Sequence, residues 1–263
     1  VAAGRNKVGV KRQRADVLLV ERGLAPSRER ARALILAGRV RSGERPVEKA
    51  GQTLPADAPL DVRGTDHPYV SRGGVKLEGA LRAFGLDPAG AVAVDIGAST
   101  GGFTDCLLQK GARRVYAVDV GYGQLADKLR KDPRVTVMER TNARFLRPED
   151  LGEPADLVLI DASFIGLQKL LPAAIALLRQ GGDILALVKP QFEVGRQKVG
   201  KKGVVRDAGA REQAIETAAG RARALGLRVL GGADAVIKGP QGNQEHFLWL
   251  RAPGRSREGP ATD

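Results

Sequence analysis

Two rhythms of apolar and polar positions divide this chain. In the first, residues 15–22 (ADVLLVER) read as a short helix that buries Val17, Leu18 and Val20 and stops at Gly23. Ser27 then stands as the N-cap of a second helix predicted over 28–37 and closed by Gly38. Ala31, Leu34 and Ile35 recur at i, i+3 and i+4, one helical face, while Arg28 and Arg32 share another. Short extended pieces follow at 39–40, 45–47 and 60–62, separated by Gly, Pro and Asp turn signals.

From Ala91 the rhythm changes. A near-continuous apolar run at 92–96 leads into a glycine-rich turn, an amphipathic stretch at 103–110 and a second run at 114–118. Further buried strands are predicted at 157–160, 184–188 and 228–236. Leu167, Leu170, Leu171, Ala174, Ile175 and Leu178 share one helical face, with Pro172 delaying the helix start, and another helix spans about 208–225. Strands alternating with helices predict an α/β fold, a mainly parallel sheet covered on both faces. The end differs, because 233–238 and 245–250 flank GPQGNQ with no room for a helix. A terminal antiparallel hairpin resembles the Rossmann-like seven-strand sheet of class I methyltransferases more than a dinucleotide-binding sheet.

Charge sharpens this division. The chain carries 43 Lys/Arg against 30 Asp/Glu, a net +13, which points to a polyanionic partner or, more blandly, a solubilising surface. Residues 1–75 hold 15 basic and 8 acidic residues, so +7 falls on the smaller part and +6 on the other 188 residues. Residues 1–13 contain no acid and read as a basic arm. The organisation expected is arm 1–13, small α+β domain 14–62, linker 63–71, larger α/β domain 72–252 and tail 253–263. Cys106 is the only cysteine, which excludes an internal disulfide and a cysteine-rich zinc site. With His67 and His246 the only histidines, no metal is expected. Cys106 reads as a packed small residue and not as a nucleophile. The start lacks a signal-peptide pattern, and no run approaches the roughly 18 apolar residues of a membrane span. A cytoplasmic protein without a membrane partner is expected. Its oligomeric state is open, with a monomer favoured.

The segment VAVDIGASTGGFTD carries the strongest local chemistry. Asp95 ends a strand, glycines allow a tight turn, and a helix begins with free N–H groups. The spacing is G-x-x-x-G-G, so the second glycine that admits a pyrophosphate is missing. A second acid, Asp119, ends the following strand, where a carboxylate can accept both ribose hydroxyls of an adenosine. These details favour S-adenosylmethionine over NAD or a purely structural turn. Gly97, Ala98, Ser99, Thr100, Gly101, Gly102 and Phe103 then form the turn against its methionine part. Asn142 either borders the adenine or is an ordinary turn residue.

Four positions can supply acid–base chemistry: Lys76 in SRGGVKL, Asp161 after LVLI, Lys189 after ILALV, and Glu245 opening EHFLWL. Residues at the carboxyl ends of parallel strands converge on the ligand crevice, which should bring Asp161 and Lys189 to the cofactor. Each charge alone is as readily the solvent edge of a strand. A lysine can accept the proton of a weakly acidic alcohol or stabilise the developing oxyanion, with carboxylates fixing its geometry. The stretch 195–207 carries Arg196, Lys198, Lys201, Lys202 and Arg206 between glycines, either a basic flap over substrate or a solvated loop. Phe164 and Phe192 either stack on an extruded base or pack in the core.

Residues RADVLLVERGLAPSRERARALILAGRVRSG resemble the S4 RNA-binding domain, which implies RNA docking through Arg14, Arg28, Arg32, Arg39 and Arg41, with Arg72 at the joint. Over nearly its full length the chain resembles the TlyA (hemolysin A) family, an S4 domain fused to an FtsJ-like methyltransferase. SRGGVKL, LIDASF, LVKPQFE and GNQEHF match the places where FtsJ-like enzymes carry a Lys-Asp-Lys-Glu set, here Lys76, Asp161, Lys189 and Glu245. The resemblance implies 2′-O-methylation of cytidine in ribosomal RNA, with Lys189 central to activating the hydroxyl. Three rivals stay open at this point: a non-catalytic S4-type ribosome assembly factor, an S4-fused pseudouridine synthase, and a membrane-active hemolysin. The last is opposed by the lack of any long apolar segment.

Overall fold

A computed structural model describes residues 12–25, 27–62, 67–163, 165–194, 200, 203–239 and 242–253. Most of the expected arm, residues 63–66 of the linker, Phe164, the basic residues Arg196, Lys198, Lys201 and Lys202, and the tail from 254 lie outside the described residues. The fold separates between residues 62 and 67 into two units.

In the N-terminal unit, β1 (Arg12–Arg14) runs straight into α1 (Ala15–Glu21), followed by α2 (Arg28–Leu36). Ser27 caps α2, its hydroxyl accepting a hydrogen bond from the Arg30 amide at 3.1 Å. Then come β2 (Val40–Ser42), β3 (Arg45–Pro46), β4 (Thr53–Pro55) and β5 (Asp61–Val62). β2 lies between β3 and β5, and β4 pairs with β1, all antiparallel. The β1–β4 pair has no counterpart in the predicted elements, because Arg12-Gln13-Arg14 offers no apolar alternation. Leu18, Leu19, Ala31, Leu34, Ile35, Val40 and Leu54 close one small α+β core.

The larger unit begins with α3 (Arg72–Phe84), which ends on Gly85 in the left-handed region. There follow β6 (Val92–Ile96), α4 (Gly102–Gln109), β7 (Arg114–Val118), α5 (Asp127–Arg130) and β8 (Val135–Met138). Next are β9 (Ala155–Ile160), α6 (Leu171–Leu177), β10 (Leu178–Val188) and α7 (Pro190–Glu193). α8 (Ala208–Ala224), β11 (Arg228–Asp234) and β12 (His246–Arg251) complete it. The seven strands run β11-β12-β10-β9-β6-β7-β8; β12 is antiparallel to both neighbours, while the other pairs are parallel. The terminal hairpin is therefore present, with its first arm at 228–234 and not 233–238. Pro172 sits in the first turn of α6, behind a 3₁₀ turn at Leu167–Lys169, where its missing N–H costs nothing.

Strand alternation sorts the sheet into two cores. Val94, Val158, Ile160, Ile184 and Val188 face α6 and α8, with Leu171, Ala174, Ala218 and Ala222 opposite them. Ala93, Leu157, Leu159, Leu185, Leu187 and Phe247 face α3 and α4, against Leu77, Leu81, Cys106 and Leu107. Cutting a fully buried leucine such as Leu159 to alanine would cost about 2–5 kcal/mol. The period of 2 also has a functional consequence. Counting on from Ile160, Val188 and Val118, residues Asp161, Lys189 and Asp119 fall on the α3/α4 side. Glu245, two before Phe247, and Asp95, two after Ala93, share that parity.

Candidate active site

The turn after β6 is shaped by its glycines. Gly97 has φ +89°, and a Cβ there would stand 2.8 Å from the Asp161 carbonyl oxygen, so only glycine lets the ends of β6 and β9 pass this closely. The Asp161 amide in turn donates to the Ile96 carbonyl at 2.9 Å. Gly101 and Gly102 make their close approaches to protein: a Cβ would meet Leu129 of α5 at the first and Ser71, before α3, at the second. The first turn of α3, which leads to Lys76, is thus packed on the turn's far end.

Three carboxylates gather at these strand ends. Asp95 is fully buried; one oxygen accepts from the Thr104 amide (3.0 Å) and hydroxyl (2.7 Å), anchoring the start of α4. Its other oxygen has no hydrogen-bond partner among the described residues. Burial pushes the Asp95 carboxyl up to about 7; the Thr104 bonds oppose this and the charges of Asp161 and Asp119 add to it. Asp119 accepts from the Ser99 amide (2.8 Å) and the Gly121 amide (2.7 Å), which leaves lone pairs on both oxygens for further donors. A cavity of about 440 Å³ lies over the turn, lined by Gly97, Ser99, Asp119, Asn142 and Asp161, with Gln124, Thr141, Arg144 and Ser163. Its size suits a small organic cofactor. Asn142 also caps a 3₁₀ turn at Ala143–Phe145, its side-chain oxygen accepting from the Arg144 amide, so it is a turn residue that also lines the cavity. Ala98 and Phe103 point into the core, Phe103 against Phe247, and Thr100 is exposed. Cys106 is fully buried, and burial raises its thiol to about 12, an inert state.

One lysine–carboxylate pair borders this cavity through Asp161 and Ser163, and a second lies across the β10–β12 register from it. The Lys189 ammonium lies 2.7 Å from Asp161 Oδ1 and donates to Ser163 Oγ (2.9 Å) and to the Asp161 carbonyl (3.2 Å). Lys76 donates to Glu245 Oε2 at 2.5 Å, and both side chains are buried. The β10–β12 register pairs Val188 with His246, so Lys189 and Glu245 are the next neighbours beyond it. All four predicted positions are brought together, from elements up to 169 residues apart in sequence. Ser163 and Asn243 were not singled out by sequence reasoning. Buried Asn243 accepts from the Val205 amide (2.9 Å) and donates to the Gly203 carbonyl (2.8 Å), tying the later part of the 195–207 stretch to the turn before Glu245. A serine two residues past a strand-end acid was the available signal for the first; nothing marked the second. Phe192 is half-buried on α7.

The arginines of the small unit have an organisation that spacing did not disclose. Arg14, Arg28 and Arg32 converge on Asp16, a fully buried carboxylate, at 2.9, 2.9 and 3.4 Å. Hydrogen bonds from Arg14 and then Arg28 hold its carboxyl well below the usual carboxylate range, against the opposing cost of burial. The guanidinium groups stay about half exposed, so the cluster presents fixed N–H donors at the surface. Arg41 bonds the Glu44 carbonyl, and Arg39 is half-buried. Arg72, in the larger unit, donates to the Lys238 carbonyl at 2.8 Å.

Comparison with known proteins adds a family to this geometry. The FtsJ-like methyltransferase pattern matches residues 69–252, and the S4 domain pattern matches 13–58. The chain belongs to the FtsJ-like methyltransferase family. Among its relatives is the 16S/23S rRNA (cytidine-2′-O)-methyltransferase TlyA of Mycobacterium tuberculosis, 50% identical over 92% of this chain and 90% of that one. Hemolysin A of Brachyspira hyodysenteriae is 39% identical over 89% and 99%. A solved structure from Streptococcus thermophilus that carries the hemolysin name superposes with a TM-score of 0.73 at 41% identity, covering 96% of this chain and 93% of that one. Seven strands with an antiparallel β12 are thus the FtsJ-like sheet, preceded by an S4 domain. Among the described residues no helix is long and apolar enough to cross a membrane, and no cluster of three or more metal-ligating side chains occurs.

Proposed function

We propose that this FtsJ-like methyltransferase transfers a methyl group from S-adenosylmethionine to a ribose 2′-hydroxyl of ribosomal RNA, that of a cytidine, with the S4 domain docking the RNA. The observation that carries this reading is the juxtaposition of the Lys189–Asp161 pair with the turn at Gly97, which a Cβ on that glycine would break.

The residues fit the cofactor by charge. Asp95, Asp119 and Asp161 influence one another across the turn, with Lys189 as the cation beside Asp161, so a positively charged ligand is favoured and a pyrophosphate is repelled. The free lone pairs of Asp119 suit the two ribose hydroxyls of an adenosine; Gly97 and Ser99 border the amino-acid end, and Asn142 the base. When bound, S-adenosylmethionine supplies an electrophilic methyl group on a sulfonium. The chain's own residues handle the acceptor. Lys189 holds the 2′-oxygen and, as the neutral amine, takes its proton, or as the ammonium stabilises the oxyanion. Asp161 and Ser163 fix the direction of its nitrogen. Lys76, locked by Glu245, adds a second cation one strand away, where it orients the acceptor ribose. Holding the acceptor in line is the larger part of the gain.

The test is incorporation of tritiated methyl groups from S-adenosylmethionine into ribosomal RNA, followed by mapping of the modified riboses. Lys189→Ala is expected to abolish transfer while cofactor affinity by calorimetry stays within a few-fold. Unchanged turnover in that variant removes Lys189 from the mechanism, and absent cofactor binding in the parent protein removes the methyltransferase reading.

A further inference from the structure

The chain is poor in aromatics, 4% of residues, and most of those described are buried or half-buried. Two are not. Tyr122 is 68% exposed and Phe145 is 70% exposed, and they stand on the loops that follow the neighbouring parallel strands β7 and β8. Each carries an arginine. The Arg140 guanidinium lies over the Tyr122 ring at 4.2 Å from its centroid, and that of Arg144 lies 5.5 Å from the Phe145 centroid.

The two loops are held together by backbone. The Arg140 amide donates to the Gly121 carbonyl (3.0 Å) and the Thr141 amide to the Asp119 carbonyl (2.9 Å). Arg140 adopts φ +54°, a left-handed conformation that a long side chain rarely takes, and the one other described non-glycine residue with positive φ is Ser99 of the cofactor turn. Strain of this kind persists where the surroundings impose it, and it clusters at ligand clamps. Here it delivers a planar cation onto an exposed ring. Residues 140–146 (RTNARFL) contain no acid, and the next residue, Arg147, is exposed but ion-paired with Glu149 at 3.3 Å. Val120 and Arg144, adjacent to this pair of rings, line the cavity itself.

We infer that Tyr122, Phe145 and their arginines form a stacking platform for unpaired bases of the substrate RNA, at the rim of the cofactor cavity on the side of Val120 and Arg144. The chemistry favours that occupant. A ring and a stacked guanidinium offer flat faces to a base of any identity, and the guanidinium edges of Arg140 and Arg144 meet the phosphates between bases. A protein partner would be expected to need a wider apolar surface than two separated rings. The inference rests on the proposed RNA methylation, and its test is separable from that reading.

The experiment uses the full chain. Tyr122→Trp and Phe145→Trp place a fluorophore on each face, with Trp249 of the parent protein as the background signal. Each is titrated with an unstructured RNA dodecamer and, as a charge-only probe, with inorganic polyphosphate. Quenching by the dodecamer and not by polyphosphate is expected. The double variant Tyr122→Ala, Phe145→Ala should bind the dodecamer roughly tenfold more weakly, with S-adenosylmethionine affinity unchanged, since stacking supplies about 1–3 kcal/mol per base. Equal quenching by both probes, or unchanged dodecamer affinity, overturns the platform. So does weaker cofactor binding with RNA affinity intact, which would assign the rings to the adenosine. If the parent protein methylates ribosomal RNA but the rings stay silent, only the platform falls. If the rings report RNA while no methyl is transferred, the platform stands and the methyltransferase reading falls.

Discussion

Asp16 in the S4 domain and Asp95 in the methyltransferase domain are both 0% exposed, yet their environments drive them in opposite directions. Asp16 receives guanidinium groups from Arg14, Arg28 and Arg32 and is held ionised well below the usual range. Asp95 receives only the Thr104 amide and hydroxyl, lies near Asp161 and Asp119, and rises to about 7. Burial alone therefore does not decide the charge of a carboxylate; the number and sign of its partners do. In the smaller domain the buried anion organises three half-exposed cations. In the larger one, a carboxylate short of partners waits beside a cavity suited to a cation.

The comparison can be broken most forcefully at Asp16. Asp16→Ala should destabilise the N-terminal domain by about 2–3 kcal/mol, the scale of lost hydrogen bonds to a charged group, and loosen all three arginines. Hydrogen exchange of the α1 and α2 amides measures this. Unchanged protection would mean that the arginines need no anion to order them.

The next largest effect is in pH dependence, and its sign differs between the domains. Asp16 is depressed in the folded state, so its contribution is complete above about pH 4, the unfolded carboxylate range, and fades only in stronger acid. Asp95 is raised, so its contribution is complete below about pH 4 and is lost as pH rises through about 7. Without cofactor, amide protection around β6 should fall between about pH 4 and 7 while that of α1 and α2 stays level. Asp95→Asn should flatten the fall. A parallel decline in both domains would refute the contrast.

The smallest effect concerns RNA. Arg28→Gln with Arg32→Gln should weaken ribosomal RNA binding and lower the magnitude of its salt slope by about 2, read from affinities at several ionic strengths. Glutamine is the sharper probe because glutamate at either position would face Asp16 and perturb the fold as well. An unchanged slope would place the docking surface elsewhere.

How much of this was legible beforehand varies by element for physical reasons. β6 and β7 were readable to the residue because strands buried on both faces are apolar along nearly their whole length, here all but Asp95 and Arg114. β8 was missed because it is an edge strand, only partly buried, and its VTVM is too short and mixed to stand out. α3 was obscured by Gly73 and Gly74 in its first turn, where Gly74 leaves room for the Tyr69 ring. Asp16 looked like an ordinary first-turn acid of a helix, since nothing local shows that three guanidinium groups converge on it.

The sequence by itself determined the periods, the glycine turn and the strand-end charges, since these are local: a two-residue alternation, a cap and a left-handed turn are written within a few residues. Strand parity is local too, but the face of the sheet on which Asp161, Lys189 and Glu245 emerge follows only once the two cores are known. Only the tertiary structure decided that Lys76 meets Glu245, that Lys189 meets Asp161, and that Arg140 covers Tyr122. Those partners depend on strand order, on the β10–β12 register and on how closely helices approach across glycines, and such distances are set by packing the whole sheet at once.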